Sequence, residues 1–380
     1  MLPGLPAMLD QLIRTPSVSC STPDFDMGNR DVVNLLAGWL ETLGFAVQIM
    51  DIPGQPDKAN LIAQLGSGPG GLVLAGHTDT VPFDEQRWQV NPLALTERDN
   101  RYYGLGSTDM KGFFPVAIEA ARAYAGAKLK EPLFIVATAD EESSMDGARQ
   151  LVVEGVPRAR VAVIGEPTDL TPVRLHKGMM MESVTVTGRS GHSSDPALGN
   201  NALEAMHEVL GALLAYRSQL QSRYRNPAFR VSVPTLNLGC IHGGDNPNRI
   251  CGECELHFDL RPLPGMDSAQ LRSEIQRLLT PIAGRLGVNI QLRSLFPGIE
   301  PFEQPADSAW VQTVERIAGR RAEAVAFGTE APFLQQLGID TVVLGPGSIR
   351  QAHQPDEYLE MAQIQPAINL LKQLIRQCCL

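Results

Sequence analysis

The chain has 380 residues, of which 43% are hydrophobic and 19% charged, and 42 acidic against 32 basic residues give a formal charge of −10. This length predicts two or three domains, and the composition is typical of a globular protein. The acidic balance disfavours nucleic acid or an anionic membrane as a partner, because both require a basic surface.

The N-terminal twenty residues do not predict a signal peptide, because they lack a basic start and because Asp10 and Arg14 interrupt their apolar residues. No apolar run approaches the roughly 20 residues of a membrane-spanning helix. Six cysteines in a chain of this length do not indicate a disulfide framework. These features predict a cytoplasmic protein in a reducing compartment.

The first half of the chain predicts strands that alternate with helices. The predicted elements are a helix over 29–43, strands over 45–50, 59–65 and 72–76, a helix between Asp109 and about residue 125, and strands over 133–139 and 161–165. The runs over 72–76 and 133–139 are continuously apolar, as in strands that are buried on both faces. Such alternation, with reactive side chains where the strands end, predicts an open α/β sheet.

The pattern changes after Lys177. A strand over 181–187 is followed by a helix over 201–220, strands over 231–238 and 252–261, a helix over 267–283 and a strand over 288–295. This β-α-β-β-α-β order is that of the ferredoxin-like split unit. Helix and strand then alternate again over 310–319, 341–344 and 362–375. We therefore predict a discontinuous domain of residues 1–177 and 296–380, with residues 178–295 inserted as a second domain.

Two ionisable side chains follow the apolar strand in the stretch LVLAGHTDTVP, residues 72–82. His77 and Asp79 are two residues apart, so they lie on the same side if the extended conformation continues. A carboxylate beside a metal-binding imidazole fixes its tautomer and its basicity. Taken alone, the same residues also fit an aspartate-capped turn after an ordinary core strand, which is the more frequent case for so short a motif.

Further ionisable side chains follow strands or lie in loops of the predicted larger domain. With the first pair, the set comprises His77, Asp79, Asp109, Glu141, Glu142, Glu166 and His353. Two imidazoles with several carboxylates suit zinc or another borderline divalent ion. Five ligands serve two metals if one carboxylate bridges them, and such paired metals activate a water that attacks an acyl carbon. Because consecutive residues of an extended chain point in opposite directions, one of Glu141 and Glu142 can bind metal while the other acts as a base.

Eight segments spread over nearly the whole chain carry a resemblance to one family. They are AGHTDTVPF, YGLGSTDMKGFF, ATADEESSMDGAR, IGEPT, SGHSSDPA, PTLNLGCIHGGDNPNRIC, GTEAPF and LGPGSIRQAHQPDEYLE. On these residues the chain resembles the metal-dependent amidohydrolases and exopeptidases that include succinyl-diaminopimelate desuccinylase, glutamate-type carboxypeptidases and aminoacylases. The resemblance implies a zinc-exopeptidase-like α/β/α catalytic domain and an inserted domain that serves as lid and dimerisation surface. It also implies hydrolysis of a small N-acyl amino acid with two zinc ions, which cobalt can replace.

The resemblance assigns a role to each candidate in the larger domain. It implies five metal ligands, namely His77 and Glu166 for one ion, Glu142 and His353 for the other, and Asp109 as the bridge between them. Asp79 is implied to orient His77, and Glu141 is implied to be the general base and proton shuttle.

The resemblance also assigns roles in the inserted domain. His192 is expected to reach the active site of the partner subunit in a homodimer and to stabilise the oxyanion. Asn246 and Arg249 are expected to hold the substrate α-carboxylate. No residue that reads the substrate side chain can be singled out, so the acyl amino acid stays open. A non-catalytic dimeric paralogue is the alternative from another class, and it predicts loss of the base or of a ligand, whereas all these positions are filled.

Overall fold

The computed structural model describes residues 2–380. Its helices, in chain order, are α1 Leu5–Arg14, α2 Arg30–Thr42, α3 Phe113–Arg122, α4 Asp146–Glu154, α5 Ala202–Arg223, α6 Ser268–Leu286, α7 Ala309–Ala318, α8 Ala331–Gln336 and α9 Met361–Cys379. Short 3₁₀ turns occupy Glu85–Arg87 and Pro196–Leu198. Among residues 2–380, none of the helices combines the length and the apolar character needed to cross a membrane.

Sixteen strands complete the regular secondary structure of residues 2–380. In chain order they are β1 Ala46–Ile52, β2 Gln55–Leu65, β3 Leu72–His77, β4 Thr96–Arg98, β5 Arg101–Tyr103, β6 Leu133–Thr138, β7 Val161–Pro167, β8 Val173–His176, β9 Met180–Thr187, β10 Thr235–Gly243, β11 Glu253–Arg261, β12 Asn289–Ser294, β13 Phe302–Glu303, β14 Glu323–Val325, β15 Asp340–Gly345 and β16 Tyr358–Glu360.

The chain divides into two compact units. The first contains the residues up to Arg174 together with Gln304–Glu323 and Thr329–Leu380. The second contains Leu175–Glu303 and Ala324–Gly328. Both units are therefore discontinuous in sequence, and both segments of the second unit are inserted between segments of the first.

A mixed sheet forms the centre of the first unit. Its strands lie in the order β1-β2-β6-β3-β7-β15-β8. Strands β6, β3, β7 and β15 run parallel to one another, whereas β2 and β8 are antiparallel to their neighbours. The predicted α/β fold class is confirmed.

The parallel strands are apolar because helices cover the sheet. Every residue of β3, β6 and β7 is buried. Leu72 and Leu74 pack in one hydrophobic cluster with helices α2, α3, α7 and α9. Val73 and Ala75 point to the opposite face by the alternation of a strand, and they are equally buried. Helices α4 and α8 contact each other as well as β1 and β15.

The second unit has the β-α-β-β-α-β order that the sequence predicts. Its antiparallel sheet has the order β10-β11-β9-β12, and α5 and α6 pack on it. In β11 the residues Cys254, Leu256, Phe258 and Leu260 are buried, and the alternate residues are partly or fully exposed. This one-sided burial is why the strand reads as an alternation of apolar and polar residues.

The predicted strand over 231–238 is wrong in its position. The strand instead spans Thr235–Gly243, and Val231 is exposed. Pro234 immediately precedes the strand, and its missing N–H cannot take part in the ladder. The register shifts between Leu238 and Cys240, so a bulge at Gly239 lets the strand continue. The continuation was not recognised because β10 is an edge strand whose last five residues are exposed on both faces, so apolar and polar residues do not alternate there.

Candidate metal centre

Parallel strand pairing collects polar side chains at one edge of the first unit's sheet. His77 ends β3 and is paired with Thr138, which ends β6. Glu141 and Glu142 lie in the turn that begins three residues after Thr138, and Glu166 lies near the end of β7. Because these strands are parallel, their carboxyl ends meet at the same edge, where open α/β sheets form their sites.

Two loops supply the remaining side chains. Asp109 lies in the loop between β5 and α3, not in the helix itself, which begins only at Phe113. His353 lies in the loop between β15 and β16 and has a positive φ of 59°. Both loops bring residues that are distant in sequence to the edge of the sheet.

Six of the seven candidates in the first unit form three overlapping donor clusters, and Asp79 is the seventh. The clusters are His77 with Glu141 and Glu142, His77 with Asp109 and Glu166, and Asp109 with Glu142 and His353. Within each cluster the donor atoms lie within 4.8 Å of one another. The Asp109 carboxylate belongs to two clusters, with Oδ1 3.2 Å from His77 Nε2 and Oδ2 3.5 Å from His353 Nε2. His353 Nε2 also lies 2.9 Å from Glu142 Oε1.

Asp79 contacts both His77 and the turn that carries the two glutamates. Its Oδ1 lies 3.5 Å from His77 Nδ1, and its backbone carbonyl lies 3.0 Å from the same nitrogen. Its carboxylate also accepts the backbone N–H groups of Glu141 at 3.2 Å and Glu142 at 3.0 Å. Sequence reasoning missed this second contact, because it depends on the turn folding back towards β3.

The side chains at this edge have strongly perturbed protonation equilibria. Burial raises the pKa of Glu141 well above its ordinary value, and repulsion by Glu166 and Glu142 raises it further. Burial and the charge of Asp109 raise the pKa of Glu166 and Glu142 in the same direction. Burial opposes protonation of His77, but the carboxylates of Asp109 and Asp79 outweigh it and raise its pKa. Crowded buried carboxylates of this kind call for a compensating positive charge.

The donor set fits divalent metal ions. His77, Asp109 and Glu166 are buried, and Glu166 Oε1 has no hydrogen-bond partner among residues 2–380. A buried carboxylate oxygen without a donor costs free energy unless a cation pairs with it. Imidazole nitrogens and carboxylate oxygens together are the ligands that zinc and similar ions take in catalytic sites.

Two further buried glutamates near the site were not among the sequence candidates. Glu330 immediately precedes α8, its Oε1 has no partner among the described residues, and burial raises its pKa to about 7. Glu357 accepts three backbone N–H groups from the loop that carries Asp109. Both residues lie in segments of the resembling motifs, GTEAPF and QPDEYLE, but neither follows an apolar strand.

The three candidates of the inserted domain lie in the second unit. His192 and Arg249 form an isolated antiparallel bridge. Arg249 is exposed, and its Nη1 lies 2.5 Å from Asp245 Oδ2. His192 Nδ1 lies 2.7 Å from Ser194 Oγ, and Asn246 is exposed in the same loop as Arg249. All three side chains are exposed.

Known proteins match the chain over its whole length. The family model described as Peptidase family M20/M25/M40 matches residues 73–377. Acetylornithine deacetylase of Edwardsiella ictaluri (strain 93-146) is 52% identical over 378 residues, which cover 100% of this chain and 98% of that protein. Acetylornithine deacetylase of Proteus mirabilis (strain HI4320) is 49% identical over 379 residues, with the same coverage.

Solved structures share the fold. An M20 family metallo-carboxypeptidase from Sulfolobus solfataricus superposes with a TM-score of 0.77 at 17% identity and covers 99% of both chains. A dinuclear metal-binding peptidase of the M20 family from Bacillus subtilis gives a TM-score of 0.68 at 18% identity and covers 98% of both chains. At these identities the likeness extends to the fold alone.

Proposed function

The chain belongs to the peptidase family M20/M25/M40 and is a metal-dependent amidohydrolase, and we propose that it hydrolyses Nα-acetyl-L-ornithine to L-ornithine and acetate. The observation that carries the substrate assignment is 52% identity over the full chain to a protein of that name. The observation that supports hydrolysis is the set of three donor clusters, one of which contains the consecutive residues Glu141 and Glu142. We assign the reaction to arginine biosynthesis in the cytoplasm, where the six free cysteines stay reduced.

The site is proposed to hold two zinc ions, which cobalt can replace. His77 and Glu166 would hold one ion, and Glu142 and His353 the other. Asp109 would hold both, since its Oδ1 lies near His77 and its Oδ2 near His353. When bound, such ions polarise the scissile carbonyl and lower the pKa of a water.

Glu141 is proposed to be the general base. Its carboxylate lies beside His77 and Glu142, and its backbone N–H is held by Asp79. In this role Glu141 takes a proton from the attacking water and delivers it to the leaving amine, for which a raised pKa is suitable. Asp79 orients His77 and also fixes the turn that carries the base.

The second unit is proposed to bind substrate and to form a homodimer. Asn246 and Arg249 would hold the substrate α-carboxylate, with the guanidinium as a two-pronged donor. His192 would stabilise the oxyanion in the active site of the partner subunit. Support for pairing comes from β10, an edge strand with exposed backbone, and from Leu203 and Leu214, which are exposed on α5.

Mixing two inactive variants tests the shared site. Glu141→Ala and His192→Ala are each expected to be inactive as pure proteins. If His192 acts in the partner's site, a mixed dimer has one site with both native residues, so random exchange restores about a quarter of the native activity. Refolding equal amounts together and assaying turnover measures this. No recovery, in a mixture that light scattering shows to be dimeric, would place His192 in its own subunit's site or outside any site.

A panel of substrates tests the acyl amino acid. With metal-reconstituted enzyme, kcat/KM for Nα-acetyl-L-ornithine is expected to exceed that for N-succinyl-diaminopimelate and for N-acetyl-citrulline by about tenfold or more. The two competitors differ from the proposed substrate in the acyl group or in the charge at the end of the side chain. Preference for either one would overturn the substrate assignment while leaving the chemistry in place. Absence of turnover with all three would favour a non-catalytic paralogue.

A further inference from the structure

We infer that Glu357 is a positioning residue that holds the loop carrying Asp109 in the conformation needed for metal binding. The Glu357 side chain is buried, and both of its carboxylate oxygens face backbone donors of this loop. Oε2 accepts the N–H of Gly106 at 2.9 Å. Oε1 accepts the N–H of Thr108 at 2.7 Å and that of Asp109 at 2.9 Å. The Glu357 side chain thus accepts three of the four consecutive N–H groups of residues 106–109.

Strand pairing fixes the position of Glu357. It immediately precedes β16, which pairs with β5 through Tyr358 and Tyr103. The Gly104 N–H donates to the Glu357 carbonyl at 3.0 Å, and the Thr108 hydroxyl donates to the Tyr358 carbonyl. The backbone of the β16 segment is therefore held against the loop on both sides of the Glu357 side chain.

The loop lacks regular secondary structure that would hold it by itself. Gly106 has a φ of +77°, and a Cβ there would lie 2.9 Å from Thr80 Cγ2, so only glycine suits this turn. Between β5 and α3 the N–H groups of Gly106, Thr108 and Asp109 find their acceptor in Glu357. Buried N–H groups left without an acceptor are costly, so the loop would rearrange if the carboxylate were absent.

The same segment ties together two proposed ligands. Glu357 lies four residues after His353, and its hydrogen bond to the Asp109 N–H joins the His353 loop to the Asp109 loop. Groups that orient metal ligands without binding the metal themselves contribute to affinity, and their loss typically weakens metal binding by about 10–100-fold. The inference rests on the proposed function in one respect, because it takes Asp109 to be a metal ligand.

The test compares Glu357→Gln with the native enzyme by titrating metal-free protein with Co²⁺. An amide nitrogen in place of one oxygen presents a donor to a donor, so at least one of the three bonds is lost. We expect the Co²⁺ dissociation constant to rise about tenfold or more, and the visible d–d absorption of the bound ion to change. Calorimetry measures the affinity for Co²⁺, and the absorption spectrum reports the geometry of the ligands around the ion. If Glu357 only stabilised the fold, its substitution would leave this spectrum unchanged.

Glu360→Gln is the matched control, because Glu360 lies three residues away and pairs with Arg101 at a partly exposed position. Its affinity and spectrum are expected to match the native enzyme. If Glu357→Gln does not fold, Glu357→Asp takes its place, since a carboxylate one methylene shorter cannot reach the donors on both sides. A folded variant with native affinity and spectrum overturns the inference. Failure of the native protein to bind Co²⁺ would instead overturn the proposed metal site.

Discussion

Replacing Glu141 with alanine is expected to lower kcat by a factor of about 10²–10⁴ while leaving the bound metal near its normal content. The proposed base carries the proton from water to the leaving amine, so its loss removes that transfer from the transition state. The donor cluster of His77, Glu141 and Glu142 makes the result informative, because by geometry alone Glu141 could also be a ligand. Elemental analysis of the purified variant, with kcat measured on Nα-acetyl-L-ornithine, separates the two roles.

Glu142→Ala is the matched comparison for this experiment. Glu142 occupies the same turn, and its backbone N–H donates to the same Asp79 carboxylate. Its side chain, however, lies 2.9 Å from His353 Nε2, and the loss of Glu142 is expected to reduce metal content together with turnover. If Glu141→Ala loses as much metal as Glu142→Ala, Glu141 is a ligand and the proposed division of roles is wrong.

Replacing Asp109 with alanine is expected to remove both metal binding and turnover. The Asp109 carboxylate is shared by two clusters, whereas Glu166 and His353 each belong to one. Loss of the several kcal/mol that metal ions contribute to the transition state corresponds to a fall in kcat of about 10³-fold. Metal stoichiometry measured by equilibrium dialysis is expected to fall towards zero in Asp109→Ala and by half in Glu166→Ala or His353→Ala.

Asp99→Asn serves as the control for the Asp109 variant. Asp99 is an exposed loop carboxylate that precedes β5, and it pairs with the neighbouring Arg98. Its substitution is expected to leave stoichiometry and turnover unchanged. Equal residual metal in the Asp109, Glu166 and His353 variants would contradict a bridging role and would favour a single-metal site.

The fold class follows from local sequence patterns. The runs over 72–76 and 133–139 are apolar throughout, and β3 and β6 are buried on both faces. The alternation in 252–261 matches β11, which has one buried and one exposed face. These patterns are local consequences of burial, so they can be recognised without knowledge of what packs against them. The misplaced strand at 231–238 marks the limit, because an exposed edge strand leaves no such pattern.

The sequence also predicts which polar residues follow each strand of the sheet. His77 and Glu166 lie at strand ends in the structure and Glu141 lies three residues beyond one, as their positions after apolar runs predict. Parallel strands bring their carboxyl ends together, so the sequence could predict that these three side chains share one edge.

Only the tertiary structure decided which loop residues join them and what holds those loops. Asp109 and His353 meet through loops whose course depends on the pairing of β5 with β16. Glu357 and Glu330 are buried beside the site although neither follows an apolar strand, and Asp79 contacts the turn at Glu141 as well as His77. Hydrophobic periodicity reflects the burial of side chains along one segment. These contacts instead provide partners for buried N–H groups and charges on segments that are far apart in the chain. The partners come within reach only after the strands have paired.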